Sequence, residues 1–211
     1  DLVLRPDVDV ADRQGGGLLP VVQIARNEQS GRLQRLPVGA RDQDKATVLV
    51  HLIDGYPLER AAGADQYSLV LRSAVDPSIA PRTLVDPAML AADAAVAIDW
   101  FHPSGDGSLV AYGLSEGGTE NSTLHVMRVA TGEVLPDRIP NCRAASVAFV
   151  PDNSGFYYAV YPEGDDYHRH IRFHGLGEAS ASDTVVFDRL PTAQSWPDVS
   201  LSADGEWLLV H

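Results

Sequence analysis

Along most of the chain, apolar runs of four to seven residues alternate with clusters of Gly, Pro, Asp and Asn. The runs fall at residues 47–52, 67–71, 109–112, 123–129, 146–150, 155–160, 168–173, 184–187 and 207–210. Their content of Val, Leu, Tyr and Phe is that of β-strands. Residues 123–129 alternate apolar and polar positions, which predicts a strand with one face on the core and one in water. One stretch, residues 87–97, is rich in Ala and fits either a turn of helix or an extended loop. Many short strands joined by turns predict an all-β sandwich, barrel or propeller.

A repeated turn separates these architectures. Phe101-His102-Pro103-Ser104-Gly105-Asp106-Gly107 leads into Leu109-Val110-Ala111-Tyr112. Phe149-Val150-Pro151-Asp152-Asn153-Ser154-Gly155 leads into Phe156-Tyr157-Tyr158, and Leu201-Ser202-Ala203-Asp204-Gly205 precedes Trp207-Leu208-Leu209-Val210. Each unit is a hairpin in which Asp or Asn sets the turn and Gly takes a positive φ. The glycines Gly107, Gly155 and Gly205 stand 48 and 50 residues apart. A four-stranded blade repeats every ~40–50 residues, so the expected fold is all-β, made of four-stranded antiparallel β-propeller blades. A sandwich supplies turns but no reason for so long a period.

Composition narrows the function classes. The 211 residues carry 29 Asp and Glu against 16 Lys and Arg, a formal charge of −13. That balance argues against a general nucleic-acid binder, which displaces phosphate counterions with cations, and against docking on an anionic membrane. No apolar run approaches the ~20 residues of a spanning helix. The single cysteine, Cys142, excludes an intrachain disulfide and any multi-cysteine metal site.

Several stretches carry a family likeness. Pro81-Arg82-Thr83-Leu84-Val85-Asp86-Pro87, Ala111-Tyr112-Gly113-Leu114-Ser115-Glu116-Gly117-Gly118, and Ala130-Thr131-Gly132-Glu133 with Leu135-Pro136-Asp137 come first. Gly155-Phe156-Tyr157-Tyr158, Tyr161-Pro162, His168, His174-Gly175-Leu176-Gly177 and Val199-Ser200-Leu201-Ser202-Ala203-Asp204-Gly205 follow in order. In this order residues 66–211 resemble the N-terminal propeller of prolyl oligopeptidases, serine peptidases that cleave short peptides after proline. Residues 1–65 are left as an unplaced, β-rich region. The third repeat ends after its second strand, so the last blade is expected to be incomplete, in either a small ring closed by strands from both termini or part of a larger ring. The resemblance implies the latter, with seven blades of which 66–211 form a part. It implies that the Ser-Asp-His triad lies on an α/β-hydrolase domain outside this chain, which by itself is then inactive. It further implies that the propeller filters short peptides for that domain in the cytoplasm. The segment after Leu135-Pro136-Asp137 reaches the cavity in the family, which makes Arg143, Ala144 and Ser146 candidate channel residues. An aromatic substrate contact is expected where this sequence has Ala144. The alternative is a non-catalytic propeller that binds a peptide or protein.

Other constellations have simpler readings. Gly113-Leu114-Ser115-Glu116-Gly117 fits the G-x-S-x-G nucleophile pattern, but no helix start follows it, so a hairpin loop is expected. His168, His170 and His174 share parity on a strand, yet alternate positions ~7 Å apart suit structural histidines better than a common metal. Asp7, Asp9 and Asp12 lack the remainder of a calcium loop, and Gly15-Gly16-Gly17 lacks that of a phosphate loop. Neither a metal nor a cofactor is expected. Trp100, Trp196 and Trp207 lie at or near blade starts, where packing between blades is expected, with lining of a channel as the alternative.

Overall fold

In a computed structural model the described residues are 67–211, apart from 74, 75, 77, 91–94 and 203, together with short strand segments nearer the start of the chain. Those segments are β1 (Leu2–Leu4), β2 (Val22–Gln23), β3 (Leu52–Ile53) and β4 (Tyr56–Ala62). Then come β5 (Tyr67–Leu71), β6 (Arg82–Val85), a one-turn helix α1 (Pro87–Leu90), β7 (Val96–Pro103), β8 (Leu109–Glu116), β9 (Thr123–Arg128) and β10 (Glu133–Ile139). The rest are β11 (Val147–Phe149), β12 (Gly155–Val160), β13 (His170–Gly175), β14 (Thr184–Phe187), β15 (Val199–Leu201) and β16 (Leu208–Val210). The ambiguous Ala-rich stretch thus begins as helix, with the Asp86 carboxylate accepting the Ala88 N–H at 3.1 Å, and ends as strand from Val96.

The strands form four-stranded antiparallel sheets, ordered β3-β4-β5-β6, β7-β8-β9-β10 and β11-β12-β13-β14, with a last sheet ordered β15-β16-β1-β2. The first three are simple meanders, as hairpin connections of this length dictate. Adjacent sheets approach through β5 and β7, then β7 and β11, then β11 and β15. From the second sheet onward, neighbouring sheets meet mainly through their first strands.

Alternation along single strands shows how the sheets stack. On β8, Leu109 and Ala111 join a core with Phe156 and Tyr158 of the third sheet, while Val110 and Tyr112 join one with Leu69 and Val85 of the first. On β12, Phe156 and Tyr158 face the second sheet, while Tyr157 and Ala159 face Val199, Leu208 and Val210. Each middle sheet is thus buried on both faces, which explains strands apolar at every position. It also corrects the half-buried strand expected at 123–129. Leu124 and Val126 point one way and Met127 and Val129 the other, and even His125 is buried, its ring stacked on Tyr112 at 5.5 Å.

The three repeated turns lie where the period places them, joining β7 to β8, β11 to β12 and β15 to β16. Gly107 and Gly205 take positive φ (71° and 74°), but in the middle turn Asn153 does so (57°). Gly155 opens β12 instead, where a Cβ would stand 2.4 Å from the His174 carbonyl oxygen. Asn153 also reaches back across sheets, its amide donating to Asp106 Oδ1 at 2.9 Å. Burial pushes the Asp106 carboxyl up, but bonds from the Ser108 N–H and from the Ser104, Asn153 and Ser108 side chains outweigh it and hold it below the usual carboxylate range.

Candidate functional site

The connection from β10 to β11 (residues 140–146) enters the third sheet on its first strand, and it is pinned along its backbone. Four successive carbonyls are engaged by side chains. Trp100 Nε1 donates to Cys142 O at 2.9 Å, Arg169 Nη2 to Arg143 O at 2.9 Å, Arg169 Nη1 to Ala144 O at 3.2 Å, and His102 Nε2 to Ala145 O at 3.0 Å. So held, Ala144 adopts a φ of +43°, which costs a non-glycine residue about 1–2 kcal/mol.

The three residues singled out in this segment have different surroundings. Arg143 is half exposed, pairs with Glu120 at 2.6 Å and lines a hollow at this end of the sheets. Ala144 is exposed and turns its carbonyl inward to Arg169. Ser146 is buried, and its hydroxyl accepts the Val199 N–H at 3.0 Å, joining the entry of β11 to β15 in the next sheet.

The hollow, about 520 Å³, is built from the β8–β9, β10–β11, β12–β13 and β14–β15 connections, which all emerge at this end. Tyr161, Tyr167 and Trp196 give it aromatic surface, Asn121, Asn141 and Gln194 give it amides, and Asp165 and Asp166 lie on its wall. Tyr167 and Trp196 are more than half exposed, at 54% and 56%. This overturns the expectation that Trp196 packs between blades; Trp100 does pack, over Gly113 and against the core. Asp165 accepts the Tyr167 N–H and contacts the His168 ring, and these bonds hold its carboxyl below the usual range.

Beneath the aromatic surface is Arg169, 2% exposed. Its guanidinium carbon stands 4.4 Å from the centre of the Tyr161 ring and 4.0 Å from that of Trp196. Among the described residues no carboxylate is paired with it, and its Nε has no hydrogen-bond partner. A guanidinium tolerates this because it is weakly hydrated and stacks on ring faces.

The histidines separate. His168 is exposed before β13 and His170 is part-buried at its start, while His174 is fully buried. His174 Nε2 lies 3.0 Å from Asp137 Oδ1 and Nδ1 2.8 Å from Asp183 Oδ1, and Tyr158 donates its hydroxyl to Asp183 Oδ2 at 2.6 Å. Each ring nitrogen thus faces one carboxylate oxygen, and the imidazole bridges the two acids. The cluster clamps β10 of the second sheet to β13 of the third. Among the described residues no serine hydroxyl bonds to it, and it acts as a structural lock rather than a catalytic triad. Sequence spacing hides it, since its bonded pairs lie 9, 25 and 37 residues apart. Arg169 and its rings were missed for the same reason.

Ser115 lies inside β8, paired with Ala97, 2% exposed and without a hydrogen-bond partner for its hydroxyl. The G-x-S-x-G stretch is therefore strand through Glu116, where a hairpin loop was expected, with only Gly117 in the turn that follows (φ 61°), and Ser115 is set against no base. Gly113 serves packing: a Cβ there would stand 2.4 Å from the Trp100 indole. Burial pushes the Cys142 thiol up, which leaves it unreactive. Among the described residues no group of three or more His, Cys, Asp or Glu could hold a metal ion. Asp7, Asp9, Asp12 and Gly15-Gly16-Gly17 lie outside the described residues.

Comparison with known proteins follows the same segment of chain. Residues 56–211 match the model of the prolyl oligopeptidase N-terminal β-propeller domain, a match that begins ahead of Gln66. A prolyl oligopeptidase A of Galerina marginata is 25% identical over 150 residues, covering 60% of this chain and 20% of the relative. A prolyl oligopeptidase of Omphalotus olearius is 26% identical over 144 residues, covering 59% and 19%. A structure from a study of two prolyl endopeptidases and their inter-domain dynamics superposes with a TM-score of 0.67 at 27% identity, over 76% of this chain and 25% of the other. Prolyl oligopeptidase B of Galerina marginata, bound to a 35-residue hydrolysis and macrocyclization substrate, shares the fold with a TM-score of 0.61 at 21% identity. The chain spans about a fifth to a quarter of the length of these relatives.

Proposed function

Because the chain belongs to the prolyl oligopeptidase family through its N-terminal β-propeller domain, we propose that its blades, within residues 66–211, select short proline-containing peptides for a hydrolase domain beyond these residues. The observation that carries this reading is the hollow at the end where the β10–β11 connection and three other connections meet. It combines a guanidinium, amides and open aromatic faces in a volume suited to a few peptide residues. Arg143 and the exposed Ala144 are the side chains we assign to the peptide path, and Ser146 supports the strand beneath. Acyl transfer through Ser, His and Asp is assigned to the hydrolase domain and not to this chain. No helix among the described residues is long and apolar enough to cross a membrane. With its one cysteine buried as a thiol, a reducing cytoplasm is the compartment we assign.

The test uses a peptidase that carries these blades. A Gly-Pro bond is offered in a short peptide, in a long unfolded peptide and in an exposed loop of a folded protein. Filtering by the blades requires the rate to fall with length and to vanish for the folded protein. Equal rates on all three would refute the filter. Arg143→Ala is expected to raise KM for the short peptide several-fold with kcat nearly unchanged, the sign of lost uniform binding.

A further inference from the structure

We propose that the hollow over Tyr161 and Trp196 is a subsite for a neutral, extended, proline-bearing stretch of peptide remote from the scissile bond, and that buried Arg169 is the residue that positions it. This deepens the peptide-selecting role above and rests on it.

The wall chemistry selects the ligand. Aromatic rings of Tyr161, Tyr167 and Trp196 line the hollow together with amide groups on Asn121, Asn141 and Gln194. A polyproline II segment presents flat apolar rings together with backbone carbonyls that have no internal partners. Aromatic-lined grooves with interspersed donors are how such segments are held. Leaving Trp196 more than half exposed gains nothing in packing until a ligand covers the ring.

The charges exclude other occupants. Asp165 and Asp166 on the wall repel a peptide carboxylate end, and Arg143, the cation of the same hollow, is already paired with Glu120 at 2.6 Å. Arg169 occupies the inner side of the Trp196 ring at 4.0 Å and draws the π density toward itself, so the outer face is a poor site for a second cation. What remains is an internal, uncharged segment.

Arg169 also makes the hollow rigid. It holds the Arg143 and Ala144 carbonyls of the β10–β11 connection, Tyr161 at the end of β12, and Trp196 before β15. One buried side chain thus fixes three of the connections that form the site, which reduces the ordering cost of binding.

The experiment uses the 211-residue chain and acetyl-Pro-Pro-Pro-Pro-amide, with acetyl-Ala-Ala-Ala-Ala-amide as control. The expected result is saturable movement of the Trp196 indole N–H resonance in the unaltered chain, assigned with Trp196→Phe, and at least about ten-fold weaker binding of the alanine peptide. Movement confined to the Trp100 or Trp207 resonance, equal binding of both peptides, or no saturation would overturn the subsite. For Arg169, acetyl-Pro-Lys-Pro-Pro-amide is added as a second probe. Arg169→Met is expected to shift preference toward the lysine peptide by several-fold, because the outer face of Trp196 regains its negative potential, and Arg169→Lys restores the original order. A purely structural role would weaken both peptides alike, and that result would remove Arg169 from the proposal. Because binding is read without hydrolysis, failure of the length filter leaves this result standing, and failure here leaves the filter standing.

Discussion

At the scale of single residues, two positions carry consequences that reach beyond their own turn or strand. Gly113 lies under the Trp100 indole, whose Nε1 in turn holds Cys142 O. A methyl group there displaces the indole, so Gly113→Ala is expected to lower stability by about 1–3 kcal/mol in urea denaturation. A smaller loss would mean that the indole moves aside freely. His125 is buried on Tyr112, and burial, reinforced by Arg138, lowers its pKa to about 4. Unfolded, the ring titrates near ~6.5. Between the two values the unfolded chain binds more protons, so stability rises with pH through that window. The contribution is complete above the unfolded value and is lost as pH falls toward 4. His125→Phe keeps a stacked ring and removes the titration. Thermal melts at pH 7 and pH 5 are expected to show a smaller acid-side drop for the variant than for the parent chain. Equal drops would assign the acid sensitivity to other groups, of which His170, lowered chiefly by burial, is the nearest candidate.

At the scale of elements, neighbouring sheets are held by polar locks as well as by apolar faces. The Ser146 bond to Val199, the Asn153 bond to Asp106 and the His174 clamp each join strands or turns of adjacent sheets. The clamp is the most demanding, because removing the imidazole leaves Asp137 and Asp183 buried without their shared partner. His174→Asn is expected to cost about 3–5 kcal/mol, the usual penalty for removing one partner of a buried polar cluster and leaving its carboxyls unpaired, measured by guanidinium unfolding at pH 7. A cost under ~1 kcal/mol would show that water relieves both carboxylates. These elements were unevenly legible. The hairpins at Gly107 and Gly205 were readable because a turn is solved within a few residues. The second face of β9 was not, since whether a polar position like His125 meets water depends on which sheet lies over it.

At the scale of the whole molecule, the described residues hold no serine against a base and an acid. Ser115 is enclosed in β8 with no bonded partner, and His174 is committed to two carboxylates. The purified chain is therefore expected not to cleave a chromogenic Gly-Pro substrate. Turnover that Ser115→Ala abolished would contradict both the assignment of Ser115 to the core and the placing of catalysis in another domain. Composition, apolar runs and the 48- and 50-residue spacing of turn glycines determined an all-β architecture of repeated four-stranded units, because each of these signals is local or periodic. Collinear motifs carried the family. The tertiary structure alone decided that four carbonyls from Cys142 to Ala145 are each taken by a side chain from another part of the chain. It also brought Tyr161, Arg169 and Trp196 into one stack and Asp137, His174 and Asp183 into one lock. Each of these contacts joins side chains or loops that only the stacking of one sheet on the next brings together, and no period in the sequence encodes which residues will meet across that gap.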